Sequence, residues 1–254
     1  MSSERKQRIS DSFGAASASY EDAAAVQRLV ARTLADVAAQ ARLPERPRIL
    51  EIGCGTGLLT REVARRWPGA ELIATDLSPA MVGKAAHGGH VAATFLPMDG
   101  EAPVFDGPWF DLILSSLAFQ WFDDLPAALA RLCALLRPGG CLYFSTMAAD
   151  SFREWRAAHA ACGLAAGTPD YPTLQDMRSI LSAYGDAFAF DEHYVQDFGG
   201  ARGLVRHLKS IGASVPADGT KPLGPAQLRQ VMSAFDASGG QATYHVLFVR
   251  VTRI

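Results

Sequence analysis

The sequence predicts an α/β fold: a mostly parallel sheet of seven strands with helices on both faces and a helical lid inserted over one sheet edge. Three observations predict it. Short apolar runs alternate with helical stretches from Arg48 to Thr146, the pattern that right-handed βαβ crossovers impose. The first run, Ile49–Ile52, enters three alternate glycines, Gly53, Gly55 and Gly57, and then a helical stretch, which is the form of a nucleotide-binding turn. The second run ends at Asp76, 19 residues past Gly57, close to the spacing of about 20 at which a carboxylate grips a ribose.

Element by element, Val26, Leu29, Val30, Leu34, Val37 and Ala41 recur at helical spacing and predict one amphipathic helix over Asp22–Arg42, stopped by the prolines of Leu43–Pro47. The strand Arg48–Ile52, the helix Leu58–Trp67, the strand Glu71–Thr75 and the helix Pro79–Ala86 follow. Strands are next expected over Ala92–Leu96 and Phe110–Ser115, then a helix over Leu125–Leu136. Arg137-Pro138-Gly139-Gly140 reads as a turn that ends this helix and launches a fifth strand, Cys141–Thr146. Ser151–Ala183 is helical in pattern, interrupted at Gly167–Pro172, and reads as an insertion over the carboxyl edge of the sheet, where open α/β sheets bind ligands. Ala187–Asp197 and Ala242–Thr252 supply two closing strands, with helices over Ala201–Ile211 and Pro225–Phe235 between them. The organisation expected is one domain over 1–254: a helical cap over 1–46, a cofactor-binding core over 47–147, the insertion over 148–185, and closing strands and helices over 186–254.

Composition narrows the class. With 254 residues, a hydrophobic fraction of 49% and a formal net charge of −2, the chain is an ordinary globular one with no bulk tendency toward nucleic acid or membranes. The first ten residues are polar and charged, and no later run approaches the ~18 apolar residues of a membrane span, so a cytoplasmic location is expected. The four cysteines, Cys54, Cys133, Cys141 and Cys162, form no Cys-x-x-Cys pair and have no histidines at ligand spacing, so no metal is expected. A monomer is the default.

A dinucleotide fingerprint places its third glycine where this chain has Leu58, which argues against a pyrophosphate. Glu51 followed by Gly53, Gly55 and Gly57 instead resembles the first motif of S-adenosyl-L-methionine methyltransferases. The resemblance implies a Rossmann-like class I methyltransferase fold. It places Glu51, Gly53, Cys54, Gly55 and Gly57 around the cofactor, Asp76 on the ribose, and Leu77 and Met81 against the adenine face. Asp99, with Gly100 beside it, is placed to accept from the adenine amine, and Gln27 and Ser115 complete the set. Cys54 is read as a small side chain that fits a crowded turn, without chemistry of its own.

The resemblance narrows at Leu117-Ala118-Phe119-Gln120-Trp121, at Lys209-Ser210-Ile211-Gly212-Ala213 and at Thr243–Phe248. Over nearly its whole length the chain resembles the malonyl-acyl-carrier-protein O-methyltransferases of biotin synthesis, although Ser214–Pro222 departs from that family's pattern. The family reading implies methyl transfer to the free carboxylate of a malonyl thioester on an acyl-carrier protein. A carboxylic acid with an ordinary pKa of about 4 is already ionised at neutral pH, so the acceptor needs no general base. Tyr20, Gln120 and Trp121, with Gln27 and Phe119, are therefore expected to position the acceptor rather than move protons.

Arg202, Arg206 and Lys209 share one helix face, and no acidic residue occurs between Asp197 and Asp218; this basic stripe suits an acidic carrier protein. Two other functions remain open on the sequence. A methyltransferase for a hydroxyl or carbon acceptor of quinone type would need a base, for which His193, His207 and His245 are candidates; a protein that binds the cofactor without turnover is the other.

Overall fold

The computed structural model describes residues 3–88, 91–217 and 219–254; Met1, Ser2, Gly89, His90 and Asp218, the last of which bounds the acid-free stretch, lie outside them. The sheet has seven strands: β1 (Arg48–Ile52), β2 (Glu71–Asp76), β3 (Thr94–Pro97), β4 (Phe110–Ser116), β5 (Leu136–Met147), β6 (Asp186–Asp197) and β7 (Gln241–Thr252). Their order is β3-β2-β1-β4-β5-β7-β6. The pairs among β1 to β5 are parallel, and β7 runs antiparallel between β5 and β6, so the sheet is mixed and mostly parallel.

Central strands are apolar on both sides because both faces are covered. Ile49, Leu112, Leu114 and Tyr143 face one core with helices α3 (Ala25–Ala38), α4 (Leu58–Arg66), α7 (Arg153–Ala161), α9 (Ala201–Ser210) and α10 (Pro225–Ala237). Leu50, Ile52, Ile113, Leu142 and Phe144 face the other with α6 (Leu125–Ala134) and α8 (Leu174–Leu181), and α5 (Pro79–Gly88) packs beside β2 and β3. Ile49, Leu50, Leu112, Ile113, Leu142 and Phe144 have no exposed surface; burying each such side chain contributes roughly 1.5–3 kcal/mol.

Beyond end shifts of one or two residues, four regions differ from the sequence reading. The helix expected over Asp22–Arg42 is a single turn, α2 (Tyr20–Ala23), followed by α3; Ala24 between them leaves helical geometry at ψ 46°, and α3 ends at Ala38. A further helix, α1 (Ser3–Ala16), precedes them. Leu136 joins the sheet instead of α6, and Leu135, which caps α6, accepts with its carbonyl from the Trp109 and Phe110 amides at 2.8 and 3.0 Å. Arg137–Gly140 is consequently a bulge inside β5, where the register to β4 slips between Phe110 and Leu112; Gly139, at φ 79°, makes the bend and its amide donates to Arg253 carbonyl at 2.7 Å. Finally, the gap between the insertion's two helices runs over 162–173, wider than Gly167–Pro172 alone.

Among the described residues no helix is long and apolar enough to cross a membrane.

Candidate active site

The site is built at the carboxyl edge of β1, β2 and β4. Beyond Ile52 the backbone takes φ 71° at Gly53, 54° at Gly55 and 91° at Gly57, values that L side chains rarely reach. A Cβ on Gly53 would also collide with the Ala118 side chain, and one on Gly100 with the Ile52 side chain. The turn is tied to β2 by Cys54 amide to Thr75 carbonyl at 2.8 Å and by Thr75 hydroxyl to Glu51 carbonyl at 2.8 Å. Asp76 completes the tie: its two oxygens accept from the amides of Gly55 and Ser78, each at 2.8 Å. Burial pushes its carboxyl up, and those two amides pull it back toward the ionised form.

Three cavities meet here. A cavity of about 100 Å³ is bordered by Gly53, Gly55, Asp76, Leu77, Met81, Asp99 and Gly100. Behind the turn a smaller one, about 30 Å³, touches Gln27, Glu51, Gly53, Cys54 and Gly55. The largest of the three, about 330 Å³, is walled mainly by apolar residues of the insertion, β5, α9 and the loop after it, with Gln27, Gln120, Thr168, Tyr171, Ser214 and Tyr244 among its polar points and Lys209 as its one charged residue among the described residues. Tyr20 borders all three, and Phe13, Leu117 and Trp121 stand between the first and the third. Leu117 holds φ 51° at this junction, a left-handed conformation that costs a non-glycine residue about 1–3 kcal/mol. Its amide is fixed by the carbonyl and hydroxyl of Ser145, at 3.0 and 3.1 Å.

The electrostatics of the small cavity are one-sided. Glu51 is 1% exposed, and neither of its oxygens, nor Oε1 of Gln27, has a hydrogen-bond partner among the described residues. Burial pushes the Glu51 carboxyl up to about 8, and Asp76 adds to the rise, while Thr60 and Arg61 offset part of it. Unpaired buried acceptors are costly, and an ammonium group, with three donors and a positive charge, satisfies such a set. Asp76 keeps acceptor capacity for a ribose diol, and Leu77, Met81, Met98 and Ile9 give the neighbouring cavity apolar walls for an aromatic base. The arrangement fits S-adenosyl-L-methionine, whose parts are a nucleoside and an amino acid.

The other sequence-derived candidates divide. Cys54 borders the small cavity, but burial, Glu51 and Asp76 push its thiol well up, so no thiolate forms there. Gly57 borders none of the three cavities and launches α4. Ser115 is fully buried and donates to Ile52 carbonyl at 2.8 Å; its neighbour Ser116 borders both cofactor cavities instead. Phe119 is core, stacked between Phe122 and Phe144 at 4.5 and 4.6 Å. Gln120 donates to Leu117 carbonyl and accepts from Thr146, and Trp121 has a buried indole nitrogen without a partner among the described residues. Asp99 borders the cofactor cavity, yet its Oδ2 takes Lys6 at 2.6 Å and its Oδ1 the Glu101 amide at 3.0 Å.

Lys6 belongs to the contribution that the sequence did not signal. Helix α1 lies across the cofactor cavity: Ile9 and Phe13 border it, Lys6 also reaches Glu101 at 2.8 Å, and Arg5 pairs with Asp123 at 2.7 Å. Phe13 meets Trp121 edge-on at 5.5 Å.

None of the three candidate bases borders a cavity of the site. His207 is buried, which lowers its pKa, and bonds the Tyr244 hydroxyl at 2.8 Å. His245 bonds Asp191 at 3.0 Å and accepts the Asp150 amide at 3.1 Å, and His193 stacks on it at 4.1 Å and 13°. Asp150, His193 and His245 bring ligand-type atoms within 4.8 Å of one another, but stacked rings direct their lone pairs in parallel rather than toward one ion, and both His245 nitrogens are engaged.

Comparison with known proteins agrees with this geometry. A family described as "Methyltransferase domain" matches residues 22–187. The chain is 46% identical over 241 residues to the biotin biosynthesis bifunctional protein of Bordetella avium, covering 94% of this chain and 51% of that protein, so it spans about half of that relative's length. It is 40% identical over 256 residues to the malonyl-[acyl-carrier protein] O-methyltransferase of Magnetococcus marinus, covering 98% of this chain and 93% of the relative. Among solved structures, the YcgJ protein of Bacillus subtilis superposes with a TM-score of 0.62 at 15% identity, covering 87% of this chain and 98% of that one, which shows the shared fold.

Proposed function

Since the chain belongs to the malonyl-[acyl-carrier protein] O-methyltransferases, we infer that it transfers a methyl group from S-adenosyl-L-methionine to the free carboxylate of a malonyl thioester borne by an acyl-carrier protein, giving a methyl ester for biotin synthesis. The observation that carries the reading is the meeting of a nucleoside-shaped cavity and a larger apolar cavity at Tyr20, Leu117 and Trp121, with no histidine or carboxylate among the described residues that border the larger one.

S-adenosyl-L-methionine, when bound, supplies an electrophilic methyl on a sulfonium whose departure leaves a neutral thioether. The chain's residues hold and exclude. Asp76 takes the ribose hydroxyls, Glu51 and Gln27 take the ammonium, and Leu77 and Met81 cover the base. Tyr20, Gln120 and Trp121 orient the acceptor carboxylate, which already carries its negative charge and loses no proton. Alignment of this kind supplies roughly 7–11 kcal/mol of the barrier in well-oriented systems. The apolar walls given by Phe13, Leu117, Met147 and Phe152 favour a transition state in which opposite charges neutralise each other, because less charge then needs solvent.

The carrier reading is supported by charge. Arg202, Arg206 and Lys209 are exposed on α9, and among the described residues none of them makes an ion pair. An acidic carrier docked on this stripe places its arm at the large cavity, which α9 itself borders. The test is incubation with methyl-labelled S-adenosyl-L-methionine and malonyl-carrier protein, malonyl-coenzyme A or a quinol precursor. A base-labile methyl ester on the malonyl group supports the reading; label on the quinol, or on no acceptor, rejects it.

A further inference from the structure

The large cavity is asymmetric in charge. At its inner end, where it meets the cofactor cavity, the polar groups are neutral: Tyr20, Gln27 and Gln120, with the unpaired indole nitrogen of Trp121 nearby. Its one cation among the described residues, Lys209, is exposed and borders neither of the two cofactor cavities. It stands on the same face of α9 as Arg202 and Arg206, next to the last residue of the helix and just ahead of the left-handed Gly212 (φ 72°). A lysine in that place reads a second anion of the substrate, remote from the reacting carboxylate. A fixed ammonium on the nucleophile itself would lower its reactivity and compete with the sulfonium.

We propose that Lys209 is a specificity residue for the phosphate at the far end of the acceptor's pantetheine arm, so that the enzyme recognises malonyl thioesters of phosphorylated pantetheine rather than malonyl groups at large. This rests on the methyl-transfer reading above. The arm's amides and methylenes run along the apolar walls, and the phosphate stops at the mouth, where Lys209 supplies a charge-assisted hydrogen bond. Binding energy from this remote contact goes to capture of the substrate, so it belongs in KM rather than kcat. The same phosphate is present in carrier-protein and coenzyme A thioesters; Arg202 and Arg206, farther along the stripe, face the carrier.

The test compares malonyl-phosphopantetheine with malonyl-pantetheine, which lacks the phosphate, for the wild type and for Lys209→Ala and Lys209→Arg. An exposed pair of this kind predicts a KM for the phosphorylated arm raised about two- to fivefold in Lys209→Ala, kcat unchanged, and recovery in Lys209→Arg. The penalty should shrink at high salt and vanish on the unphosphorylated arm, where wild type and variant converge. Arg206→Glu distinguishes the two sources by raising KM for malonyl-carrier protein more than for malonyl-coenzyme A. A Lys209→Ala defect of equal size on both arms, or one that falls on kcat, places the lysine at the carboxylate and overturns the proposal; so does a variant indistinguishable from wild type on the phosphorylated arm. Absence of methyl ester from every malonyl thioester with the wild type is a different result, and it rejects the methyl-transfer reading itself.

Discussion

Glu51 is a buried carboxyl whose burial cost Thr60 and Arg61 offset only in part. Its carboxyl, pushed up to about 8 by burial, sits above the ordinary carboxylate range, so the neutral form stabilises the ligand-free fold at low pH and that stability is lost as pH rises through about 8. Glu51→Gln should therefore raise the melting temperature of the ligand-free protein, by an amount that grows between pH 5 and about 8, followed by scanning calorimetry. The same change should weaken S-adenosyl-L-methionine about 10- to 100-fold, since a charge-assisted bond to the ammonium is lost. Binding must also expel the Glu51 proton, so the wild-type Kd should tighten with pH up to about 8 while the variant's stays flat; a wild-type Kd independent of pH over that range contradicts this role. Tyr20→Phe should lower kcat on the order of tenfold with little change in cofactor Kd, because a lost orienting hydrogen bond is felt in the transition state. Gly53, Gly55 and Asp76 were legible in the sequence because glycine at alternate positions and a carboxylate at fixed spacing are local facts. The burial of Ser115, with Ser116 turned to the cavity, was not, since one residue of strand phase decides it.

At the scale of elements, strands and helices of the core follow from apolar periodicity, and β1, β2, β4, β6 and β7 lie within a residue of their expected ends. The N-terminal cap is different. Helix α1 is polar, and what holds it is tertiary: Lys6 meets Asp99 across 93 residues of sequence and Arg5 meets Asp123 across 118. No window of the sequence contains both partners. The bulge at Arg137–Gly140 was likewise hidden, because β5 starts early only when β4 is beside it. If α1 closes the cofactor cavity through these pairs, Lys6→Met should speed cofactor dissociation several-fold at low salt, measured by stopped-flow displacement. The gap between wild type and variant should narrow at about 1 M salt, by less than for a fully exposed pair because these side chains are partly buried. Equal dissociation rates at all salt concentrations would contradict a closing role for the helix.

The whole molecule gathers residues from its first helix to its last strand around one edge of the sheet: Phe13 and Tyr20 before β1, Asp76 at the end of β2, Trp121 after β4, and Tyr244 within β7. The order β3-β2-β1-β4-β5-β7-β6 puts the nucleoside beyond β1 and β2 and leaves the space beyond β4 and β5 for the acceptor. Such an arrangement asks for positioning and exclusion of water, and it needs no proton transfer. The most direct measurement is kcat on malonyl-carrier protein between pH 6 and pH 9 with both substrates saturating, so that cofactor binding through Glu51 drops out. The account predicts a level profile across this range. A rise or a bell with an apparent pKa inside it, abolished by substituting a single side chain, would show that a general base carries the reaction.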